Sequence, residues 1–346
     1  MAAALVILDA RVASDRERWI ETWSRWPARE VQAHPAYLEL FAAPDELVRA
    51  ASLESSSGVV LYPFVQRRIF DATDLTSPYG YGGPYSWGNR EELAAVFWPA
   101  FDEWARSTDV VTEFVRVAVG TSDLLAYPGD LMSRQHNVIV AIDRDANAIW
   151  ARYAHKVRKN VNKARAANLR IEVDPTGKRL DAFMGIYLAT MSRRAADDRY
   201  RFSPELFLRM AETLPDQIVY FHALLGEEVV STELALVSAT SIYSFLGGTD
   251  ERFFDLRPND LLKHEMIGWA AEHGKTRFVL GGGFAPDDGI FQYKKAFAPD
   301  GVVPFFTGQR VFDLASYERL TRAREAEVGA PLAPSFFPQY RAPAAS

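Results

Sequence analysis

The spacing of apolar positions predicts alternating helices and strands along most of the chain. Helical periodicity is clearest at 91–106, where Leu93, Phe97 and Phe101 recur on one side. It also predicts helices at 15–26, 148–168, 181–194, 258–272 and 313–328. Alternating or continuous apolar runs predict strands at 6–8, 58–65, 137–142, 170–173, 219–225, 229–237, 241–246 and 276–280. A chain with this order of elements is of the α/β class, with mixed sheets.

Composition limits the class of protein and the chemistry open to it. The chain has 346 residues, of which 48% are hydrophobic and 24% charged, and its formal net charge is −6. This length predicts two globular domains. The absence of cysteine excludes thiol catalysis, disulfides and thiolate metal sites, and the six histidines lack metal-ligand spacing. No signal-peptide or membrane-spanning pattern is seen, so we expect a cytoplasmic monomer with no membrane contact, metal or cofactor.

A basic segment lies between Arg152 and Arg170, and it contains no acidic residue. Its apolar residues follow helical spacing and should face the core: Trp150, Tyr153, Val157, Val161 and Ala164. The cations that would then face solvent repel one another, so an anionic partner is expected. The candidate residues for contact with this anionic partner are Lys156, Arg158, Lys159 and Lys163. A solvated surface helix is the alternative interpretation.

Three glycines follow the predicted strand 276–280. Gly282 and Gly283 would allow the end of a donor to approach the backbone closely, because they have no Cβ. Farther on, Lys294 lies among aromatic residues. We expect a strand there, which would direct Lys294 and Lys295 to opposite faces and let Lys294 stabilise an oxyanion or a phosphate. A flexible turn, followed by a strand whose lysine merely covers apolar surface, is the alternative.

The segment before the helix at 258–272 lacks a phosphate-binding loop. An acetyltransferase that uses coenzyme A needs a glycine-rich turn there, whose N–H groups hold the pyrophosphate. The segment 253–262 has no glycine, Pro258 has no N–H, and Asp255 and Asp260 would repel an anion. An acyl-CoA held in the usual way is therefore not expected as the donor.

Four stretches resemble the Fem-like (FemABX) family of aminoacyl-tRNA-dependent transferases, within the GNAT acetyltransferase superfold. They are the basic helix 156–164 with the strand after it, Thr190–Arg193 with Tyr200–Phe202, Leu246–Thr249 with Pro258–Leu262, and Gly282–Gly283 through Tyr293–Phe297. The resemblance is clear over about 148–312. It implies two tandem GNAT-like domains, and catalysis without a metal or a covalent enzyme intermediate.

The resemblance also implies domain bounds and residue roles. A degenerate acceptor-side domain would span 1–146, completed by the helix at 313–330. The donor-side domain would span 147–312, and 331–346 would be a loose tail. Lys294 would be catalytic beside the reacting ester and, with Tyr293, would bind the tRNA 3′ end. The other residues expected to contact tRNA are Lys156, Arg158, Lys159 and Lys163. Arg193 would face an anionic group of the acceptor, with Tyr200 and Tyr243 nearby.

The chain departs from cell-wall members of the family at its aromatic loop. Where they carry an Arg-Gly-Pro-like motif, this chain reads Gly82-Gly83-Pro84, and their first-domain lysine has no counterpart here. Tyr79, Tyr81 and Tyr85 therefore suggest a smaller or more aromatic acceptor. Ordinary turn chemistry with core tyrosines is the alternative.

The favoured function is an N-acyltransferase that moves an aminoacyl group from aminoacyl-tRNA onto an amine, forming an amide bond. The acceptor would be a small peptide, a nucleoside-type natural product or a wall precursor, as in antibiotic biosynthesis or peptidoglycan synthesis. An acyl-CoA-dependent or carrier-protein-dependent N-acyltransferase is the alternative, and a catalytically inactive binding module is the third. Asp287, Asp288 and Glu233 are open candidates for the general base.

Overall fold

A computed structural model describes residues 4–345, so residues 1–3 of the predicted first domain and residue 346 of the predicted tail lie outside the described residues. The strands are β1 Val6–Asp9, β2 Leu47–Ser55, β3 Gly58–Ile69, β4 Ala72–Thr76, β5 Tyr85–Gly88, β6 Val110–Arg116, β7 Asp130–Ser133, β8 Asn137–Ala141, β9 Arg170–Asp174, β10 Ile218–Leu225, β11 Glu228–Val237, β12 Ser241–Thr249, β13 Arg277–Gly281, β14 Val302–Val303 and β15 Phe306–Val311. The helices are α1 Ala13–Arg25, α2 Pro35–Phe41, α3 Arg90–Ser107, α4 Ala146–Arg152, α5 His155–Ala166, α6 Leu180–Arg193, α7 Pro204–Thr213, α8 Pro258–Glu272, α9 Gly289–Lys295 and α10 Leu314–Val328. The predicted α/β class with mixed sheets is confirmed.

The first compact unit comprises residues 4–27, 32–134 and 305–345. Its sheet has the strand order β1-β2-β3-β4-β6-β15-β7, with β5 paired to β3. The apolar face of α3 packs on this sheet, where Phe97 and Phe101 meet Tyr62. The side chain of Asn89 accepts from the Glu92 N–H and so begins α3.

The second compact unit comprises residues 28–31 and 135–304, and its sheet has the order β14-β8-β13-β12-β11-β10-β9. Helices cover both faces of this sheet. Successive side chains of β10 point to opposite faces, so Tyr220 contacts Phe183 of α6, whereas Phe221 contacts Trp269 of α8. The longer segment of this unit begins at residue 135, before the expected bound of 147, because β8 pairs with β13 and β14.

Two predicted elements differ from the structure. The single helix expected at 148–168 is divided into α4 and α5 around Tyr153 and Ala154, where the Ala154 N–H donates to Ala296 O and not to the preceding turn. The strand expected around Lys294 is wrong, since this segment forms α9. Asp288 begins α9 by accepting from the Phe291 N–H at 2.7 Å.

The tail expected to be loose is held by specific contacts. Tyr340 is fully buried, and its hydroxyl lies 2.6 Å from Thr112 Oγ1. The guanidinium of Arg341 forms an ion pair with the buried carboxylate of Asp74. These contacts belong to the first compact unit, and the proline and alanine content of the segment gave no sign of them.

Candidate active site

The second sheet opens where its two parallel strands separate. Strands β12 and β13 pair only over Ser241–Tyr243 and Arg277–Val279. Opposite Leu234 and Ala235, β12 contains one extra residue, Phe245, which forms a β-bulge. A bulge bends its strand and increases its twist. Beyond the bulge, β12 runs on to Thr249 paired with β11 alone, among the residues described, so the edge toward β13 is left open.

A cavity of about 1290 Å³ lies at this opening. Its walls come from the end of α6 and the loop after it, the bulged half of β12, the start of α8, the loop after β13, and α9. It is lined by Thr190, Met191, Arg193, Arg194, Ala195, Ala196, Asp197, Arg199, Tyr200, Glu233, Ser244, Phe245, Leu246, Gly247, Gly248, Thr249, Phe254, Arg257, Pro258, Asn259, Asp260, Lys263, Phe284, Asp288, Gly289, Ile290, Tyr293 and Lys294. All of these residues belong to the second compact unit.

A buried ion pair lies in the wall of the cavity. The ammonium of Lys263 contacts the carboxylate of Glu233 and donates to Ser244 Oγ at 2.7 Å. Burial lowers the pKa of Lys263, and the nearby carboxylate of Glu233 opposes that effect. Both side chains are almost wholly buried, so removing either partner would leave the other buried without its counter-charge.

Lys294 extends from α9 into the same cavity. Its ammonium donates to the carbonyl oxygen of Gly282 at 2.6 Å. Burial, together with the charge of Lys263, lowers the pKa of Lys294 to about 8. Near neutral pH this ammonium is therefore charged and still able to give up its proton. It can stabilise negative charge that develops on an oxygen within the cavity.

Helix α5 reaches the cavity through the side chain of Asn160, which contacts α8. Asn160 Nδ2 donates to Asp260 Oδ1 at 3.2 Å, and Asp260 lines the cavity. Burial raises the pKa of Asp260, although the charge of Lys156 acts against it. Lys156, Lys159 and Lys163 are exposed, whereas Val157, Val161 and Ala164 are buried, as the spacing predicts.

Arg158 differs from these lysines because its guanidinium folds back onto the chain. It donates to the carbonyl oxygens of Ala151 and Tyr153, where it closes the break between α4 and α5. Its charge is therefore less available to a ligand than the charges of the exposed lysines.

The structure brings four of the predicted site residues together. Arg193, Tyr200, Tyr293 and Lys294 all line the cavity. Arg193 extends over the ring of Phe254, with its guanidinium carbon 5.0 Å from the ring centroid. The buried hydroxyl of Tyr293 donates to Asn259 O at 3.1 Å, and burial raises its pKa well above the usual value.

The other predicted tyrosines lie elsewhere. Tyr79, Tyr81 and Tyr85 belong to the first unit, where Tyr79 stacks on Phe41. Tyr243 is buried, and its hydroxyl donates to Glu30 Oε2 at 2.8 Å. Their roles as acceptor-binding residues stay predictions.

The two glycines predicted to receive the donor pack against other segments of the protein itself. A Cβ at Gly282 would lie 2.9 Å from His136 O, and one at Gly283 would lie 2.4 Å from Asp288 Oδ1. Glycine is needed at both positions so that neighbouring segments can pack closely. The carbonyl of Gly282 nonetheless reaches the site, because it accepts from Lys294.

Sequence reasoning missed Lys263. Its signal is a charged residue within the apolar stripe of α8, at helical spacing from Met266 and Ile267. Of the three base candidates, Asp287 does not line the cavity. Both carboxylate oxygens of Asp288 accept hydrogen bonds from backbone N–H groups, and these bonds lower the pKa of Asp288. Glu233 lines the cavity but is paired with Lys263.

Metal binding finds no support in the described part of the chain, which has no cluster of three or more His, Asp or Glu side chains suited to a metal ion. Nor does any helix there combine the length and apolar character that crossing a bilayer requires.

Residues 151–295 match the family model described as an acetyltransferase (GNAT) domain. The second unit therefore carries a GNAT acyltransferase domain. The matched range contains the whole cavity, from Thr190 to Lys294. No curated protein matched the sequence.

Solved structures show the same fold over most of the chain. The structure of FemX is 14% identical, with a TM-score of 0.68, and the match covers 88% of this chain and 98% of FemX. A C-terminal domain named for lysylphosphatidylglycerol synthetase, from Agrobacterium fabrum, gives 14% identity and a TM-score of 0.56 over 88% of this chain and 93% of that domain. The structure of L-PGS from Bacillus licheniformis is 11% identical, with a TM-score of 0.52, and the match covers 93% of this chain and 98% of that one. The predicted Fem-like resemblance is thereby confirmed at the level of fold.

Proposed function

We propose that this GNAT domain transfers an aminoacyl group from aminoacyl-tRNA onto the amine of a small acceptor. The observation that carries the proposal is the half-buried ammonium of Lys294 in a cavity that is also lined by three arginines without a carboxylate partner. In the described part of the chain, Arg193, Arg194 and Arg257 form no ion pair with a carboxylate, although all three line the cavity. A donor that carries phosphates would complement them.

The start of α8 supports a donor other than an ordinary acyl-CoA. Pro258 offers no N–H, and the N–H of Asp260 already donates to Arg257 O at 3.2 Å. Arg257 is in the left-handed conformation, at φ 61°, where a phosphate-binding loop would have glycine. Backbone donors for a pyrophosphate are thus few, and arginine side chains are the available partners for phosphate groups.

The transfer itself needs little covalent chemistry from the protein. The neutral acceptor amine attacks the ester carbonyl, a C–N bond forms, and negative charge develops on the carbonyl oxygen. The ester C–O bond then breaks, and the ribose oxygen leaves with the proton that the amine loses. The protonated Lys294 would stabilise the oxyanion, while the cavity holds the amine and the ester at reacting distance.

A donor built on coenzyme A or a carrier protein is the second candidate, and the open edge of β12 favours it. An extended arm containing amide groups could hydrogen-bond to the backbone edge between Leu246 and Thr249, which faces away from β11. FemX and the lysylphosphatidylglycerol synthetase domain resemble this chain in fold, and their names agree better with the first candidate.

Calorimetry can distinguish the two donors. The purified protein would be titrated with a tRNA that carries a non-hydrolysable, amide-linked amino acid, and separately with acetyl-CoA. We expect saturable binding of the tRNA and none of acetyl-CoA. Micromolar binding of acetyl-CoA without binding of the tRNA would overturn the proposal and leave the second candidate.

A further inference from the structure

Two aromatic rings at the cavity remain in contact with solvent. Phe284 is 83% exposed, more than any other large apolar side chain in the described chain, and Phe254 is 42% exposed. Both rings line the cavity. Exposed aromatic area at a cavity is costly in water and is characteristic of binding surfaces. These rings therefore require an explanation that core packing does not supply.

The loop that carries Phe284 is built to hold its backbone in place. Asp288 Oδ2 accepts from the N–H groups of Phe284, at 2.7 Å, and Ala285, at 3.1 Å. The carbonyl of Phe284 accepts from Gln135 Nε2 at 3.2 Å. Gly283 leaves the space that the carboxylate of Asp288 occupies. The backbone of Phe284 is thus fixed on both sides while its ring stays in solvent, and a displayed ring loses little freedom when a ligand stacks on it.

Cationic side chains outnumber carboxylates in the lining of the cavity that the two rings share. Arg193 lies over Phe254, and Arg194 and Arg257 line the same cavity without a carboxylate partner among the described residues. Flat apolar rings beside unpaired arginines match the chemistry of a nucleotide, whose base stacks and whose phosphate pairs with cations. An aliphatic acyl chain would need no such cations, and a free carboxylate would need no exposed rings.

We propose that Phe284 and Phe254 stack on the bases at the 3′ end of the donor RNA, and so position the terminal ribose ester near Lys294. This inference rests on the proposed function, and it adds the part of the donor that is recognised. Stacking accepts any base, since every base has a flat face, so the rings would supply affinity and placement rather than a sequence code.

The test is a double-mutant cycle in which the ring of Phe284 and the terminal base of the RNA are removed singly and together. The probe is an RNA minihelix ending in CCA with an amide-linked amino acid, made with and without the terminal base, and its Kd is measured by fluorescence anisotropy. In the unaltered protein, removal of the base should weaken binding by about 5- to 150-fold, the range that stacking of one base supplies. Phe284→Ala should weaken binding of the intact RNA on that scale and change binding of the base-deleted RNA little. Phe284→Trp should retain affinity.

Phe254→Ala should be tested on the same pair of RNAs, and then on RNAs lacking the base of the penultimate nucleotide. Phe336→Ala is the matched control, because Phe336 is 45% exposed and does not line the cavity; its Kd values should equal those of the unaltered protein. Equal losses on intact and base-deleted RNA, or no loss, would overturn the stacking role. If the unaltered protein binds neither minihelix, the proposed function itself fails.

Discussion

The ammonium of Lys294 donates a hydrogen bond of 2.6 Å to the carbonyl oxygen of Gly282, which joins α9 to the end of β13. Residues 282 and 294 are separated by the loop that carries Phe284. This hydrogen bond therefore positions the reactive cation and also helps to hold the two ends of this loop together. A ligand oxygen that takes a proton of the same ammonium need not displace Gly282, because an ammonium has three donors.

Lys294→Met should lower the rate of transfer by about 10²–10³-fold, since one electrostatic donor to a developing oxyanion contributes on that scale. Lys295→Met is the control. Lys295 follows Lys294 in a helix and not in a strand, so it lies about 100° around the axis, and it does not line the cavity. Single-turnover rates should separate the variants. Equal losses, or a near-normal rate for Lys294→Met, would remove the catalytic assignment.

The pH profile should show whether the protonated lysine is the active form. Its pKa is lowered to about 8, so the charged fraction falls as pH rises through 8. We expect kcat/KM to fall above that pH, and Lys294→Arg to move the fall to higher pH, because arginine stays protonated there. The acceptor must be the same in both profiles. A rate that rises through pH 8 and depends on Lys294 would instead indicate that the neutral lysine accepts a proton.

Breaking the buried pair should destabilise the second unit strongly. Lys263→Met leaves the carboxylate of Glu233 buried without a partner, and such a change costs about 3–5 kcal/mol. Lys263→Met combined with Glu233→Leu should recover most of that stability, since no charge remains. Urea unfolding measures both.

Lys178→Met is the matched control for this comparison. Lys178 also pairs with a glutamate, Glu172, at 2.9 Å, but its side chain is 60% exposed. A surface pair contributes at most about 1 kcal/mol. If Lys263→Met and Lys178→Met unfold at the same urea concentration, the pair at the cavity is not shielded from water as the structure indicates.

Charge reversal on α5 should flatten the salt dependence of tRNA binding. Removing the cation that neutralises one phosphate reduces the slope of log K against log salt by roughly 0.7–0.9, so Lys156→Glu with Lys159→Glu should reduce it by about 1.4–1.8. Arg106→Glu with Arg322→Glu makes the same change in formal charge on α3 and α10 and should leave the slope unchanged. An unchanged slope in the α5 variant would mean that this helix is only a solvated surface.

The sequence predicted elements best where local signals agree. Helix α8 begins and ends as expected, at Pro258 and Glu272, because proline favours the first turn and Gly274 follows the last. Helix α9 was missed because the aromatic residues Phe291, Tyr293 and Phe297 alternate with other residues or flank them, as in a strand. The capping carboxylate of Asp288, three residues before Phe291, was the competing signal.

The site was harder to predict than the elements. Glu233 and Lys263 are 30 positions apart, and only the packing of α8 on β11 joins them. A charged residue among apolar neighbours shows that a partner exists without showing which residue it is. Periodicity reports the burial of a position, whereas ion pairs depend on tertiary contacts.

The short pairing of β12 with β13 also affects how this protein meets other chains. A straight, unpaired strand edge offers a template on which a strand of another molecule can add and begin aggregation. Here the open edge follows the bulge at Phe245, and it forms part of the wall of a cavity. A twisted edge of that kind fits a flat foreign strand poorly. The same distortion that opens a space for a small ligand thus also protects the sheet from growing by one strand.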